Sequence, residues 1–289
     1  MQEGKWPGIC FNFRDSLQPG FRYFMTILGC QLDISWENKR KNYEKAGALL
    51  NQQKLSAGSL VVLPEMFATG FSMDAGKIAE RAGGPTTDFM KQLAREKGVY
   101  VLGGLVRQDS VSRVFNEAIC VAPSGRRVVR YDKLHLFRPG GESKHYAPGG
   151  DITLFQWGNF KVASFVCYDL RFPEIFRMAT LRGAEVLVVI ANWPRRRSIH
   201  WSLLLQARAI ENQAYVVGVN RCGQDPQLDY SGGTVVIGPW GDTIASAGEN
   251  ETVISADLDR AVVTKCRRDF AVLRDVRTSF KLKNPGNKK

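Results

Sequence analysis

The segment FVCYDLRFPE, residues 165–174, ends an apolar run on Cys167 and follows it at once with Tyr, Asp, Arg and Phe-Pro-Glu. A cysteine that only fills space gains nothing from ionisable neighbours, so this placement points to a thiol kept for reaction. Two other apolar runs end in the same manner, SLVVLPE at Glu65 and VVRYDK at Lys133. A carboxylate, an ammonium and a thiol are the parts needed for nucleophilic attack on an amide. The thiol needs a base to take its proton or a cation to hold its thiolate; Glu65 would be the base and Lys133 the cation. As sulfur adds to the carbonyl carbon, Lys133 and the backbone N–H of Tyr168 would hold the oxyanion. Glu65 would then protonate the departing amine and later activate the water that cleaves the thioester. Singly, each residue has a plainer reading: a turn glutamate, a surface lysine, a core cysteine. Long stretches of chain separate them, so only the fold can bring them together.

In α/β proteins, strand ends are where sites are built, because the sheet fixes the backbone while the next loop leaves the side chain accessible. Residues 1–24 mix Gly, Pro and charge without periodicity and are expected to form an irregular arm, with the first strand in MTILGCQLDI from Met25. Residues 36–54 read as a helix, SLVVLPE as a strand, PTTDFMKQLAREKG as a helix opened by Pro85 and stopped by Gly98, and VYVLGGLV as a strand. EAICVAPSGRRVVRYDK reads as a hairpin turning at Pro-Ser-Gly. Then come the strand KVASFVC, a helix from Pro173, the strand EVLVVIANW, a helix over HWSLLLQARAIEN, the strand AYVVGVNRC and a second hairpin around GPWGD. Alternating strands and helices predict an α/β fold, and the hairpins make its sheets mixed. With no repeat and no linker, one domain is expected over 25–275, followed by a basic tail over 276–289.

The 289 residues, 44% hydrophobic and 24% charged, suffice for a large core. No run approaches the roughly 18 apolar residues of a membrane span. YFMTILGCQL is not read as a signal-peptide core, because Arg22, Thr26 and Gln31 flank or interrupt it and no small-residue cleavage site follows. Six cysteines without a Cys-x-x-Cys pair are few for a disulfide scaffold of this length, so a reducing cytoplasm is expected. His135, His145 and His200 lack metal-ligand spacing, and no metal or cofactor is expected. The net charge of +12 invites nucleic acid. Yet part of the excess sits in KLKNPGNKK, GRRVVR and the three arginines at 195–197 without interleaved aromatics, so neither nucleic acid nor membrane is an expected partner. A serine hydrolase would need a Gly-x-Ser-x-Gly elbow, and a dinucleotide enzyme a Gly-x-Gly-x-x-Gly turn after the first strand; the chain has neither.

LPEMFATGF, YDKLHLF, ESKHYAPG and FVCYDLRFPE occur in the order of the Glu, Lys, second-Glu and Cys motifs of the nitrilase, or carbon–nitrogen hydrolase, superfamily, which the chain resembles from about Met25 to about Asp257. The resemblance implies a four-layer αββα sandwich and a catalytic triad of Glu65, Lys133 and Cys167. It makes Glu142 a supporting carboxylate near Lys133, and puts Cys167 on a tight turn braced by RFPE, with Arg171 and Glu174 as support. PEMFATGFSM, ANWPRRRSIHW and LLLQARAIENQAYVVGVNR resemble the bacterial omega-amidase branch. Members of that branch hydrolyse the terminal amide of small dicarboxylate monoamides, such as 2-oxoglutaramate and 2-oxosuccinamate, releasing ammonia. The alternative is another carbon–nitrogen hydrolase, such as an N-carbamoyl amino acid amidohydrolase or an aliphatic amidase. The same resemblance implies substrate contacts from Tyr168, Asn192, Trp193 and Arg197, with Arg197 at the substrate carboxylate; Arg138 and Lys144 are weaker candidates for that cation. Arg195 and Arg196 have no counterpart in the pattern and are expected in solvent. A homodimer is implied through the helix HWSLLLQARAIEN, whose Trp201, Leu204, Leu205 and Arg208 share one side, although that side would serve equally to pack on the sheet.

Overall fold

The computed structural model describes residues 24–277, so the expected arm and basic tail lie outside the described residues apart from Phe24, Val276 and Arg277. The chain begins with β1 (Phe24–Gln31), α1 (Lys39–Asn51), β2 (Leu60–Val62), α2 (Ala75–Ile78), β3 (Glu80–Arg81), α3 (Pro85–Lys97), β4 (Tyr100–Gln108), β5 (Val114–Val121) and β6 (Arg127–Asp132). It continues through β7 (Leu154–Trp157), β8 (Phe160–Val166), α4 (Pro173–Leu181), β9 (Val186–Ala191), α5 (Ser198–Asn212), β10 (Tyr215–Asn220), β11 (Cys222–Gln224) and β12 (Asp229–Ser231). It closes with β13 (Val235–Ile237), β14 (Thr243–Ser246), β15 (Thr252–Asp259) and α6 (Arg260–Asp269). The punctuation residues act as expected: Pro85 opens α3, and Gly98, at φ 64, ends it in the left-handed conformation that glycine adopts without a Cβ penalty.

Among the described residues the strands form two large mixed sheets. One runs β15-β1-β2-β4-β5-β6 with β3 beside β4, the other runs β14-β13-β10-β9-β8-β7, and β11-β12 form a separate ribbon. Period-two alternation sorts the side chains. Leu60 and Val62 of β2, with Ala118 and Cys120 of β5, point into a core shared with Val162, Phe165 and Val217 of the second sheet. Val61, Ile119 and Val121 point the other way, onto Ala46 and Leu50 of α1 and Met90, Leu93 and Ala94 of α3. Ile175, Phe176 and Ala179 of α4 and Leu205 and Ala209 of α5 join the core of the second sheet. The layers are therefore helix, sheet, sheet, helix. Each fully buried Val or Leu contributes about 1.5–3 kcal/mol toward holding them.

The first strand and α5 add to the sequence reading. The first strand starts at Phe24 and is paired along its whole length with β15, which the sequence analysis did not anticipate. The side of α5 carrying Trp201, Leu205 and Arg208 is buried, and Leu204 is half-buried, so of the two uses open to that side the fold takes packing on the sheet over a dimer contact. The outer side of α5 exposes Ile199, Leu203 and Ile210. No helix among the described residues is long and apolar enough to cross a membrane.

Candidate active site

Glu65 leaves the first sheet just after β2, in a turn pressed onto β4. The Gly104 N–H donates to Pro64 O at 3.1 Å and the Phe67 N–H to Gly104 O at 3.2 Å. A Cβ on Gly104 would lie 2.7 Å from both Glu65 Cα and Met66 N, so only glycine permits this approach. Lys133 follows β6 directly, its N–H donating to Asn116 O at 2.9 Å. Cys167 follows β8 of the second sheet and holds a left-handed φ of 46°, which is uncommon for a residue with a Cβ and is kept only where surroundings enforce it.

These strand ends converge. Lys133 Nζ donates to Glu65 Oε1 at 3.0 Å and lies 3.0 Å from both carboxylate oxygens of Glu142, with all three side chains removed from solvent. Asn116 Nδ2 donates to Glu65 Oε1 at 2.7 Å and to Glu142 Oε1 at 2.9 Å. The Asn192 N–H donates to Glu65 Oε2 at 2.8 Å, and its side-chain amide donates to Glu65 O at 2.7 Å. Cys167 Sγ lies 3.9 Å from Asn192 O.

Burial alone would pull the Lys133 pKa down, but Glu142 and Glu65 outweigh it and hold the ammonium above the ordinary lysine range. The Cys167 thiol is pushed well above its ordinary value, first by burial and then by Glu65; Lys133 pulls the other way and does not prevail. A thiol so placed is protonated at rest and needs a base during attack.

The residues expected around the substrate are distributed unevenly. Tyr168 packs edge-on against Phe137 and Phe172, with ring centroids 5.1 and 5.3 Å away. The Arg197 guanidinium sits 5.3 Å over the Phe137 ring. Its pKa is lowered first by burial and then by Arg196, with Arg171 adding to the effect, while Cys167 and Tyr230 oppose it. No carboxylate figures among those groups. Asn192 and Trp193, also expected at the substrate, are held by contacts within the protein. The Asn192 amide is committed to Glu65, while Trp193 is buried, donates Nε1–H to Arg197 O at 2.7 Å and carries the Arg171 guanidinium 4.9 Å from its ring centroid. Arg171 also meets His200 Nδ1 at 3.3 Å, whereas Glu174 is exposed, so the expected joint support of the turn by this pair is replaced. Arg138 and Lys144 are exposed, and Arg195 pairs at the surface with Glu249.

Asp169 braces the cysteine turn instead, and sequence reasoning missed it along with Asn116. Both are fully buried. The available signal was a polar side chain where the local pattern calls for an apolar one, at Asn116 and Glu117 inside β5.

The sequence model of the carbon–nitrogen hydrolase family matches residues 29–268. The chain belongs to that family. Among the relatives of this carbon–nitrogen hydrolase, the 2-oxoglutaramate amidase of Bacillus subtilis (strain 168) is 33% identical over 253 residues, covering 87% of this chain and 97% of its own length. Omega-amidase YafV of Escherichia coli (strain K12) is 38% identical over 223 residues, 76% of this chain and 85% of its own. The crystal structure of XC1258 from Xanthomonas campestris, a CN-hydrolase superfamily protein, superposes with a TM-score of 0.83 at 33% identity, covering 90% of this chain and all of that one. The fold is thus the nitrilase-like α/β sandwich. The hydrolase is an amidohydrolase acting on non-peptide carbon–nitrogen bonds, in the omega-amidase branch of the nitrilase superfamily.

Proposed function

We propose that this hydrolase cleaves the terminal carboxamide of a small dicarboxylate monoamide, such as 2-oxoglutaramate or 2-oxosuccinamate, to the acid and ammonia through a thioester on Cys167. The observation that carries the substrate class is Arg197, a half-buried guanidinium held over Phe137 near Cys167, with no carboxylate acting on its charge among the described residues. A planar cation left in that condition suits the far carboxylate of the substrate. The names of the amidase relatives support the same class.

In this reading Glu65 takes the thiol proton as sulfur bonds to the carbonyl carbon, and the oxyanion is held by Lys133 and the Tyr168 N–H. Lys133 acts as a fixed cation and not as a proton donor, because Glu142 and Glu65 keep it charged. Glu65 returns the proton to nitrogen as the carbon–nitrogen bond breaks and ammonia leaves. It then takes a proton from water as the hydroxyl adds to the thioester, and gives it back to sulfur as the acid departs.

Steady-state kinetics on the charged monoamide and its methyl ester test the substrate class. The wild type is expected to prefer the charged amide, and Arg197→Ala to narrow the gap by about 2 kcal/mol, roughly thirtyfold in kcat/KM, nearly all of it lost from the charged substrate. Equal rates for both substrates in the wild type would sink carboxylate recognition, and release of carbon dioxide with ammonia would move the reading to carbamoyl compounds.

We also place this hydrolase in a reducing cytoplasm, for which the free thiols Cys30, Cys120, Cys167, Cys222 and Cys266 are the support. We infer a homodimer as well, through Ile199, Leu203 and Ile210 of α5 with Met178 and Leu181 of α4, all exposed and apolar. Light scattering at micromolar concentration is expected to give twice the chain mass, and Leu203→Glu to give the single chain. A monomeric wild type removes the inference.

A further inference from the structure

We propose that Asp169 is a positioning residue that ties the lysine turn to the cysteine turn, so that reaction at Cys167 depends on a carboxylate buried behind the site. The proposal rests on the reading of Cys167 as nucleophile given above.

The Asp169 side chain is fully enclosed, and its oxygens take their donors from two different sheets. Oδ1 accepts from the His135 N–H at 3.0 Å and meets His135 Nδ1 at 2.9 Å. Oδ2 accepts from the Tyr131 hydroxyl at 2.7 Å and from the Val166 N–H at 3.0 Å. Tyr131 and His135 stand on either side of Lys133, at the end of β6 and just beyond it. Val166 is the last residue of β8, immediately before Cys167. One carboxylate thus holds the backbone around the ammonium and the backbone leading into the thiol.

A buried carboxylate that served only its own turn would draw its donors from that turn. Here three of the four come from the lysine segment. The Tyr131 hydroxyl also receives the Leu134 N–H at 3.4 Å, and the His135 ring stacks on Phe172 with centroids 3.7 Å apart, which carries the tie into the segment after Cys167. The left-handed Cys167 backbone needs such outside support, since its own preference is for another conformation. A reacting pair set on two sheets loses rate quickly with displacement: about 1 Å costs on the order of a hundredfold.

Asp169→Asn keeps the shape and breaks the tie. In either orientation its NH2 faces a backbone N–H, of Val166 or of His135, where the carboxylate offered a lone pair. Three quantities are to be compared in folded protein: kcat, KM for the charged monoamide, and the rate of iodoacetamide labelling at Cys167. Asp169→Asn is expected to lower kcat by about a hundredfold and slow labelling, with KM within about threefold of wild type. Tyr131→Phe, which removes one donor and leaves the carboxylate, is expected to lower kcat by about tenfold. A folded Asp169→Asn protein with wild-type kcat and labelling overturns the proposal. If Asp169→Asn does not fold, wild-type kcat in Tyr131→Phe overturns it. The nucleophile reading fails separately, if Cys167→Ala retains activity.

Discussion

Cys167→Ala is expected to abolish amide hydrolysis while leaving the circular dichroism spectrum as in the wild type. The two halves of that outcome have different causes. Loss of sulfur removes the atom that would form the thioester, and no neighbouring group replaces it: Tyr168 turns its ring into the aromatic cluster of Phe137 and Phe172, and the nearest carboxylate, Glu65, is held by four nitrogen contacts from Lys133, Asn116 and Asn192. The fold survives because the thiol's contacts are weak, a long one to Asn192 O and one to Glu65, whose carboxylate has other donors, and because alanine meets the same left-handed backbone demand as cysteine. Iodoacetamide is expected to label Cys167 ahead of the other cysteines of the domain. Cys30, Cys120, Cys222 and Cys266 are buried, with burial pushing the Cys30 thiol up to about 12 and the Cys222 thiol up to about 11. Cys167 is raised too, yet it is partly open and has Glu65 beside it to take the proton. Near-full activity in Cys167→Ala would remove the thioester mechanism.

Lys133→Met should damage both rate and stability, and a second change should separate the two. The ammonium is the cation shared by the buried carboxylates of Glu65 and Glu142. Removing one member of a buried ion pair leaves uncompensated charge, at a cost of about 3–5 kcal/mol. Turnover should fall by roughly a hundredfold or more, as for loss of an oxyanion donor. Lys133→Met with Glu142→Gln restores part of the charge balance and should recover melting temperature without recovering kcat. If the double variant regained turnover, the role of Lys133 would be to neutralise its neighbours, and the oxyanion would have to be held elsewhere.

The four groups at the centre could be found in the sequence because three of them end apolar strands, where a charge or a thiol is out of keeping with the run before it, and Glu142 came with the motif order. Asn116 and Asp169 could not be found in that way. Each acts by its contacts across the fold, Asn116 on Glu65 and Glu142, Asp169 on residues of the lysine segment and of β8, and nothing local in VFNEA or CYDLR announces those partners. The layers were legible from alternation and capping, but β15 was not, since it is half-exposed and its partner β1 lies at the other end of the domain. On α5 the apolar residues run almost all round the helix, so periodicity alone gave no means of deciding which side meets the sheet. The fold settles it by burying Trp201, Leu205 and Arg208, with the Arg208 guanidinium donating to Leu170 O at 2.7 Å.

Glu65 and Lys133 ride on one sheet and Cys167 on the other. Away from the hydrogen bonds that Asp169 and Asn192 make between the layers at the site, the contact between the two sheets is made by side chains such as Leu60, Val62, Phe165 and Val217, which have no direction of their own beyond close packing. A slide of one layer over the other by a fraction of a side chain would leave every ladder hydrogen bond intact and still draw the thiol away from its base. Heat should therefore silence this hydrolase before it melts it. Substitutions in the interlayer core, however far from Cys167, belong among those that tune its rate.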